Sequence, residues 1–148
     1  MALTLRFQRA NFVVRDLDRA LTLYRDVLGF EVAFTQGHNP ESYSFPVFDI
    51  PSDAELRFCV LSTASQERVM ALTEITGVEL ALVPHPRRGA IVLEVGDPDA
   101  VVAAARAAGA TVCEEGELLT KDGRKGREID IIDFDDNLIV IYNITGAA

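Results

Sequence analysis

A chain of 148 residues, 49% of them hydrophobic, has enough apolar material to bury a core, and a single domain over 1–148 is expected. Its net charge of −9 argues against nucleic acid or an anionic membrane surface as the main partner. The start MALTLRFQRA lacks the apolar region of a secretory signal, no apolar run spans a bilayer, and Cys59 and Cys113 form no CxxC pair, so a cytoplasmic protein with free thiols is expected.

Taken in order, the chain begins with a strand at about Phe7–Val14, where apolar residues cluster with β-branched valines. Asp16 is placed to accept the free amide hydrogens of a first helical turn. Leu17, Ala20, Leu21, Tyr24, Val27 and Leu28 then recur at helical spacing, Gly29 ends the helix in a left-handed conformation, and a strand runs from Phe30 to Phe34. Residues 37–54 are rich in turn formers, yet hold Tyr43, Phe45, Val47, Phe48 and Ile50, bulky groups that should fold back on something. Glu55–Ser62 and Val69–Ile75 read as strands, and 77–88 as a linker through Pro84 and Pro86.

The pattern then repeats. Gly89–Val95 leads into Asp97-Pro98, an N-cap with proline at the first helical position. Val101, Val102, Ala105 and Ala108 form the stripe, Gly109 the stop, and strands are expected at 111–118, 127–133 and 137–143, with KDGRKG and DFDDN as turns. EITG at 74–77 and NITG at 143–146 close the two copies alike, and the first carries about a dozen extra residues. One duplication of this length gives two half-domains rather than a solenoid. The expected class is α+β, with strand–helix–strand–strand–strand modules over about 6–77 and 89–146.

Strand alternation assigns faces. Ala10, Phe12 and Val14 should face the core and Arg9, Asn11 and Val13 the open side; Ile91 and Leu93 core, Ala90, Val92 and Glu94 open; Ile139 and Ile141 core, Leu138, Val140 and Tyr142 open. In the third strand, Leu56, Phe58 and Val60 share one face and Arg57, Cys59 and Leu61 the other; the latter is expected to join Asn11, Thr73 and Tyr142 in lining a pocket.

The paired modules, the phrase VRDLDRALTLYRDVLGFEV and the ending DFDDNLIVIYN resemble the vicinal oxygen chelate superfamily, which includes glyoxalase I, extradiol dioxygenases, fosfomycin-resistance enzymes, methylmalonyl-CoA epimerase and bleomycin-resistance proteins. The resemblance covers essentially the whole chain and implies two βαβββ modules whose curved mixed sheets surround a shared pocket, usually in a homodimer. Metal-using members carry His or Glu near the start of the first strand, on the fourth, and at equivalent places in the second module. Carried onto this sequence, those positions are Arg9, Ala71, Ala90 and Val140, none of which can hold a divalent ion. His38, His85, Glu74 and Glu94 do not restore the set after a one-residue slip.

The resulting expectation is a metal-free, cofactor-free small-molecule-binding protein, similar to the bleomycin-resistance branch and forming a homodimer. Its pocket would take an apolar or aromatic, anionic ligand through Arg9, Asn11, Arg57, Cys59, Thr73, Val92, Val140 and Tyr142, with Phe45 and Phe48 covering it from the 37–54 connection. Arg9 is either the ligand's anchor or one half of an ion pair with Asp130, Glu128 or Glu94. Cys59 has no histidine partner by sequence and does not read as a nucleophile; Asp133, Asp135 and Asp136 read as a turn because a calcium loop's glycine and terminal glutamate are missing. Two alternatives stay open: a metal-dependent enzyme of the glyoxalase, dioxygenase or epimerase kind, or acid–base chemistry through Glu94 and Asp130; and a structural or regulatory dimer without a ligand.

Overall fold

The computed structural model describes residues 4–146. Their order is β1 (Ala10–Val14), α1 (Leu17–Tyr24), β2 (Glu31–Gln36), α2 (Ser44–Val47), β3 (Glu55–Ser62), β4 (Met70–Thr76), β5 (Ala90–Glu94), α3 (Pro98–Ala107), β6 (Thr111–Val112), β7 (Gly116–Leu119), β8 (Lys125–Ile132) and β9 (Leu138–Gly146). This is the expected α+β class with two mixed sheets. The chain divides into two compact units, one running through Leu21 and again over Gly29–Leu80, the other joining Thr22–Leu28 to the chain from Ala81 onward.

In the first unit the sheet order is β1-β4-β3-β2, with β1 parallel to β4 and the other pairs antiparallel. The Asp16 carboxylate accepts the Arg19 N–H at 3.0 Å, the expected N-cap of α1. Opposite faces of this sheet do different things. Glu74, on β4, accepts the Leu17 N–H at 2.6 Å and so marks the face that α1 covers. The register puts Val14, Leu72, Cys59 and Arg57 on that side with it. Asn11, Val13, Ala71, Thr73, Leu56, Phe58, Val60 and Gln36 lie on the other.

The second unit repeats the plan with one more strand: β5-β9-β8-β6, with β7 also on β8. Strand β5 runs parallel to β9. The Asp97 carboxylate accepts the Ala100 N–H at 3.1 Å, and Pro98 occupies the first helical position. At the far end Ala110 N–H reaches back to the Ala105 carbonyl at 3.0 Å while Gly109 takes φ +91°, a left-handed stop that a side chain would resist. Ile129, Ile131, Ile139, Ile141 and Ala105 are buried, whereas Val92 on the opposite face of its strand is 62% exposed.

Three expectations on elements need correction. The first strand starts at Ala10 rather than Phe7, which is exposed. Helix α1 ends at Tyr24, after which Val27 and Leu28 both donate to the Leu23 carbonyl in a wider turn that leads to Gly29 at φ +90°. The strand expected over 111–118 is two strands. Thr111 and Val112 pair with Ile132 and Ile131, then the register on β8 slips by one residue before Gly116 pairs with Glu128. The charged Glu114 and Glu115 sit in the gap, exposed, so the chain bulges where burial does not hold it.

A second irregularity, at Lys125/Gly126 in the β8–β9 pairing, brings backbone against backbone: a Cβ on Gly126 would lie 2.2 Å from the Asn143 carbonyl oxygen. Gly126→Ala is expected to destabilise the fold by about 2–4 kcal/mol, measured by denaturant unfolding. Gly116→Ala, whose new methyl would meet nothing closer than 3.9 Å, is the control and is expected to change stability by less than about 1 kcal/mol.

Candidate functional site

In the first unit, on the face turned away from α1, Leu56, Val60, Ala71 and Thr73 are buried, Asn11, Val13 and Phe58 are half-buried, and Gln36 is exposed. Residues 37–54 leave β2, form the short α2 and return to β3. Ile50, Ala54, Leu56 and Ile75 make a buried cluster, with Phe45, Val13, Val78 and Leu80 packed against it. The connection therefore folds back on the sheet, as its bulky residues imply, and it does so through Phe45 and Ile50. Tyr43, 78% exposed, and Phe48 stay on the outside.

Beside this cluster lies a cavity of about 160 Å³, lined by Gln36, Gly37, Asn39, Ser42, Ser44, Leu56, Phe58 and Thr73. Its walls are amides and hydroxyls; its apolar surface comes from Leu56 and Phe58. No lining residue carries a charge. Asn11 and Thr73 exchange hydrogen bonds, Asn11 Nδ2 to Thr73 Oγ1 at 3.0 Å and the hydroxyl to Asn11 Oδ1 at 3.1 Å, as alternatives for one hydroxyl. Phe34 meets Phe58 edge-on at 6.4 Å between ring centres, and the Arg68 guanidinium stands 5.7 Å from the Phe34 ring.

The sequence-derived residues scatter relative to this cavity. Thr73 lines it and Asn11 bonds to Thr73. Arg9, half-buried and one residue ahead of β1, makes no ion pair or side-chain hydrogen bond among the described residues. Phe45 packs on the Ile50 cluster and edge-on to His38, and Phe48 caps α2 on the exposed side. Arg57 and Cys59 do not share a face with Asn11 and Thr73. Cys59 is fully buried on the helix side, and Arg57 donates from Nε and Nη2 to Glu74 at 3.1 and 2.8 Å, with Asp18 at 3.5 Å. Polar residues on an alternating strand suggest an open face; here a carboxylate on the adjacent strand keeps the guanidinium on the covered one. The residues that do line the cavity from β3, Leu56 and Phe58, have apolar side chains and gave no such signal. Gln36, Asn39, Ser42 and Ser44 look like ordinary turn-rich sequence, and only the return path of the connection distinguishes them.

In the second unit Val92, Val140 and Tyr142 share one face, the side opposite the buried isoleucines. Register aligns Glu94, Tyr142 and Glu128 across three neighbouring strands, with Asp130 beside Val140, and the Tyr142 hydroxyl donates to Glu94 at 3.3 Å. DFDDN is the expected turn. The Asp133 carboxylate accepts the Tyr24 hydroxyl, the Asp135 and Asn137 N–H groups and the Asn137 side chain, all at 2.8–2.9 Å. Burial, then the Asp133 charge and its hydrogen bond, push the Tyr24 phenol well above its ordinary range. Asp136 pairs with His85 at 2.9 Å and with Arg87, tying the linker to the turn.

The profile of the Glyoxalase/Bleomycin resistance protein/Dioxygenase superfamily matches residues 6–141. The chain belongs to this superfamily. No curated protein matches it well enough to count as a relative. Among solved structures it is similar to a glyoxalase family protein of Bacillus cereus, at 19% identity over 98% of this chain and 97% of that one with a TM-score of 0.75. The trypanothione-dependent glyoxalase I of Leishmania major gives 23% identity, 95% and 87% coverage and a TM-score of 0.62. The fosfomycin resistance protein FosX of Listeria monocytogenes gives 16%, 98% and 96%, and 0.62. At these identities the likeness is one of fold. FosX has also been crystallised with Mn(II) and sulfate. The residues here do not fit such an ion. Arg9, Ala71, Ala90 and Val140 offer no carboxylate or imidazole, and among the described residues no three His, Cys, Asp or Glu side chains converge.

The Arg57–Glu74 contact can be tested by pH. Burial alone would raise the Glu74 carboxyl, but the Arg57 hydrogen bonds and the Leu17 N–H outweigh it and hold it below the ordinary range. Its stabilisation is thus complete above the unfolded value of about 4.3 and is lost as pH falls through the lower folded one. Glu74→Gln is expected to cost about 1.5–3 kcal/mol at neutral pH, and the gap from wild type should close on acidification in urea titrations at successive pH values.

Proposed function

We propose that this chain is a metal-free, small-molecule-binding member of its superfamily, holding an apolar or aromatic anionic ligand on the open face of the first sheet. The observation that carries this reading is the combination on that face. A cavity of about 160 Å³ lies beside Thr73, and the half-buried Arg9 guanidinium lacks an ion pair among the described residues. Arg9 continues the alternation of Asn11 and Val13, so a ligand resting on Asn11 and Thr73 would have the guanidinium one strand repeat away, roughly 7 Å. Phe58 and Leu56 would take its apolar part and the amides and hydroxyls of Gln36, Asn39 and Ser42 its polar groups. Val92, Val140 and Tyr142 remain candidates for ligand contact on the open face of the second sheet.

The superfamily's metal-assisted chemistry has no support in the residues at the four inherited positions. An enzyme working by acid–base catalysis is the second reading, favoured by the Tyr142 hydroxyl on Glu94 in a row with Glu128. As a cytoplasmic binding protein the chain would work as a homodimer, like the pattern its resemblance implies. Sedimentation at micromolar concentration should then give a particle of twice 16.2 kDa; a 16.2 kDa species alone would rule the dimer out.

Replacing Arg9 by Met removes the charge while keeping much of the stem's bulk. Charge-assisted contacts contribute about 1.5–3 kcal/mol, so affinity for the ligand should fall roughly ten- to a hundredfold. Thermal-shift screening of aromatic and aliphatic acids against wild type and Arg9→Met in parallel provides the measurement. Acids that stabilise both proteins equally would remove Arg9 from the site.

A further inference from the structure

Strand β2 pairs with β3 in one continuous register near its end, Phe34 with Val60, Thr35 with Cys59 and Gln36 with Phe58. The next inward-facing pair in that register would set residue 38 opposite Leu56. No strand is there, because the chain turns away at Gly37, and the Leu56 N–H loses the carbonyl that a longer β2 would have supplied. His38 fills the place with its side chain. The Leu56 backbone N–H donates to Nδ1 of the imidazole at 3.0 Å. The ring also stands edge-on to Phe45, 6.2 Å between centres at 86°. Phe45 in turn accepts the Ile50 N–H at its carbonyl, 2.9 Å, and packs on the cluster of Ile50, Ala54, Leu56 and Ile75. One imidazole therefore joins the point where the connection leaves the sheet to the strand on which it lands.

We infer that His38 is a proton-operated latch on the 39–54 connection, the segment that supplies Asn39, Ser42 and Ser44 to the cavity wall. A backbone N–H can only donate, so Nδ1 must carry a free lone pair and the proton of the neutral ring sits on Nε2. Imidazolium has two N–H groups and no acceptor. On protonation the ring must turn away from Leu56 and leave that amide, in a residue only 6% exposed, without its partner. The latch is closed while the ring is neutral and opens when the ring takes up a proton. Phe45 and the Leu56 backbone, which contact the ring, are uncharged. Titratable groups on the connection are Glu41, Tyr43, Asp49 and Asp53, all exposed; on β3, Glu55 and Arg57 flank Leu56. Arg57 is engaged with Glu74, and His38 makes no ion pair among the described residues. The ring's own proton is thus the switch.

The latch belongs to the free protein and does not depend on any ligand, so its test is independent of the Arg9 reading. The chain has two histidines, and His85, which pairs with Asp136, serves as an internal reference. In long-range proton–nitrogen spectra at about pH 8, His38 should show a bare Nδ1 and a protonated Nε2. At a lower pH, where the same spectra show both nitrogens protonated, the protection factor of the Leu56 amide should fall about tenfold, with those of Ile50 and Phe45 falling in turn. His38→Asn puts an amide oxygen, which does not titrate, within reach of the same N–H. Leu56 should then be protected equally at both pH values, while His38→Phe should lose protection at both. The inference is overturned if Nδ1 carries the proton at the higher pH, or if Leu56 protection in wild type is the same at both. A fall in His38→Asn as large as in wild type would assign the effect to the carboxylates and overturn it equally.

Discussion

A single carboxylate decides which side of the first sheet is which. Glu74 sits on β4, central in the four-stranded sheet, and takes three donors: the first N–H of α1 and two from Arg57 on the neighbouring strand. The N–H groups of a helix's first turn have no partner within the helix, and a negative charge there is favoured by the dipole as well as by hydrogen bonding. Burial alone would raise the Glu74 carboxyl, and the guanidinium beside it, together with the Leu17 N–H, brings it below the ordinary range. The helix is thus docked at its start on one face, and alternation commits Asn11, Ala71, Thr73, Leu56 and Phe58 to the other. The cavity exists on that other face because α1 has been spoken for.

Much of the fold is legible in the sequence because its signals are local. Asp16 and Asp97 cap helices, Gly29 and Gly109 close the segments that those caps begin, and Ile139 and Ile141 alternate with Val140 whichever partner the strand finds. The candidate site is less legible because it depends on pairing. Arg57 beside Cys59 has the look of an open polar edge until register sets Glu74 opposite it. The slip between β6 and β7 is likewise invisible in 111–118, where neither hydropathy nor spacing reveals that the register on β8 changes by one residue. Residues 37–54 declare that they will fold back, through Phe45 and Ile50, but not that Asn39, Ser42 and Ser44 will face the space left beside them.

The two sheets use the same plan for different surfaces. The first unit's open face carries amides, hydroxyls and the Arg9 guanidinium, which has no ion pair among the described residues, with aromatic rings at Phe34 and Phe58. The second unit's corresponding face carries Glu94, Glu128, Asp130 and the Tyr142 hydroxyl, around a largely exposed Val92. A duplicated scaffold fixes which positions point outward and leaves their chemistry free to diverge. Here the divergence is one of sign, and a charged group drawn to one face would be repelled by the other.

The partition of the chain does not match its duplication. Thr22–Leu28, from the end of the first module's helix and the turn after it, belong to the second compact unit. The phenol of Tyr24 is one of the donors that hold the buried Asp133 at the turn before β9. A fragment cut at the linker would carry the whole second repeat and still lack part of its own interior, leaving a carboxylate short of a donor. A short segment of the first repeat is thus built into the second unit, so the two repeats, though alike in sequence, are not interchangeable.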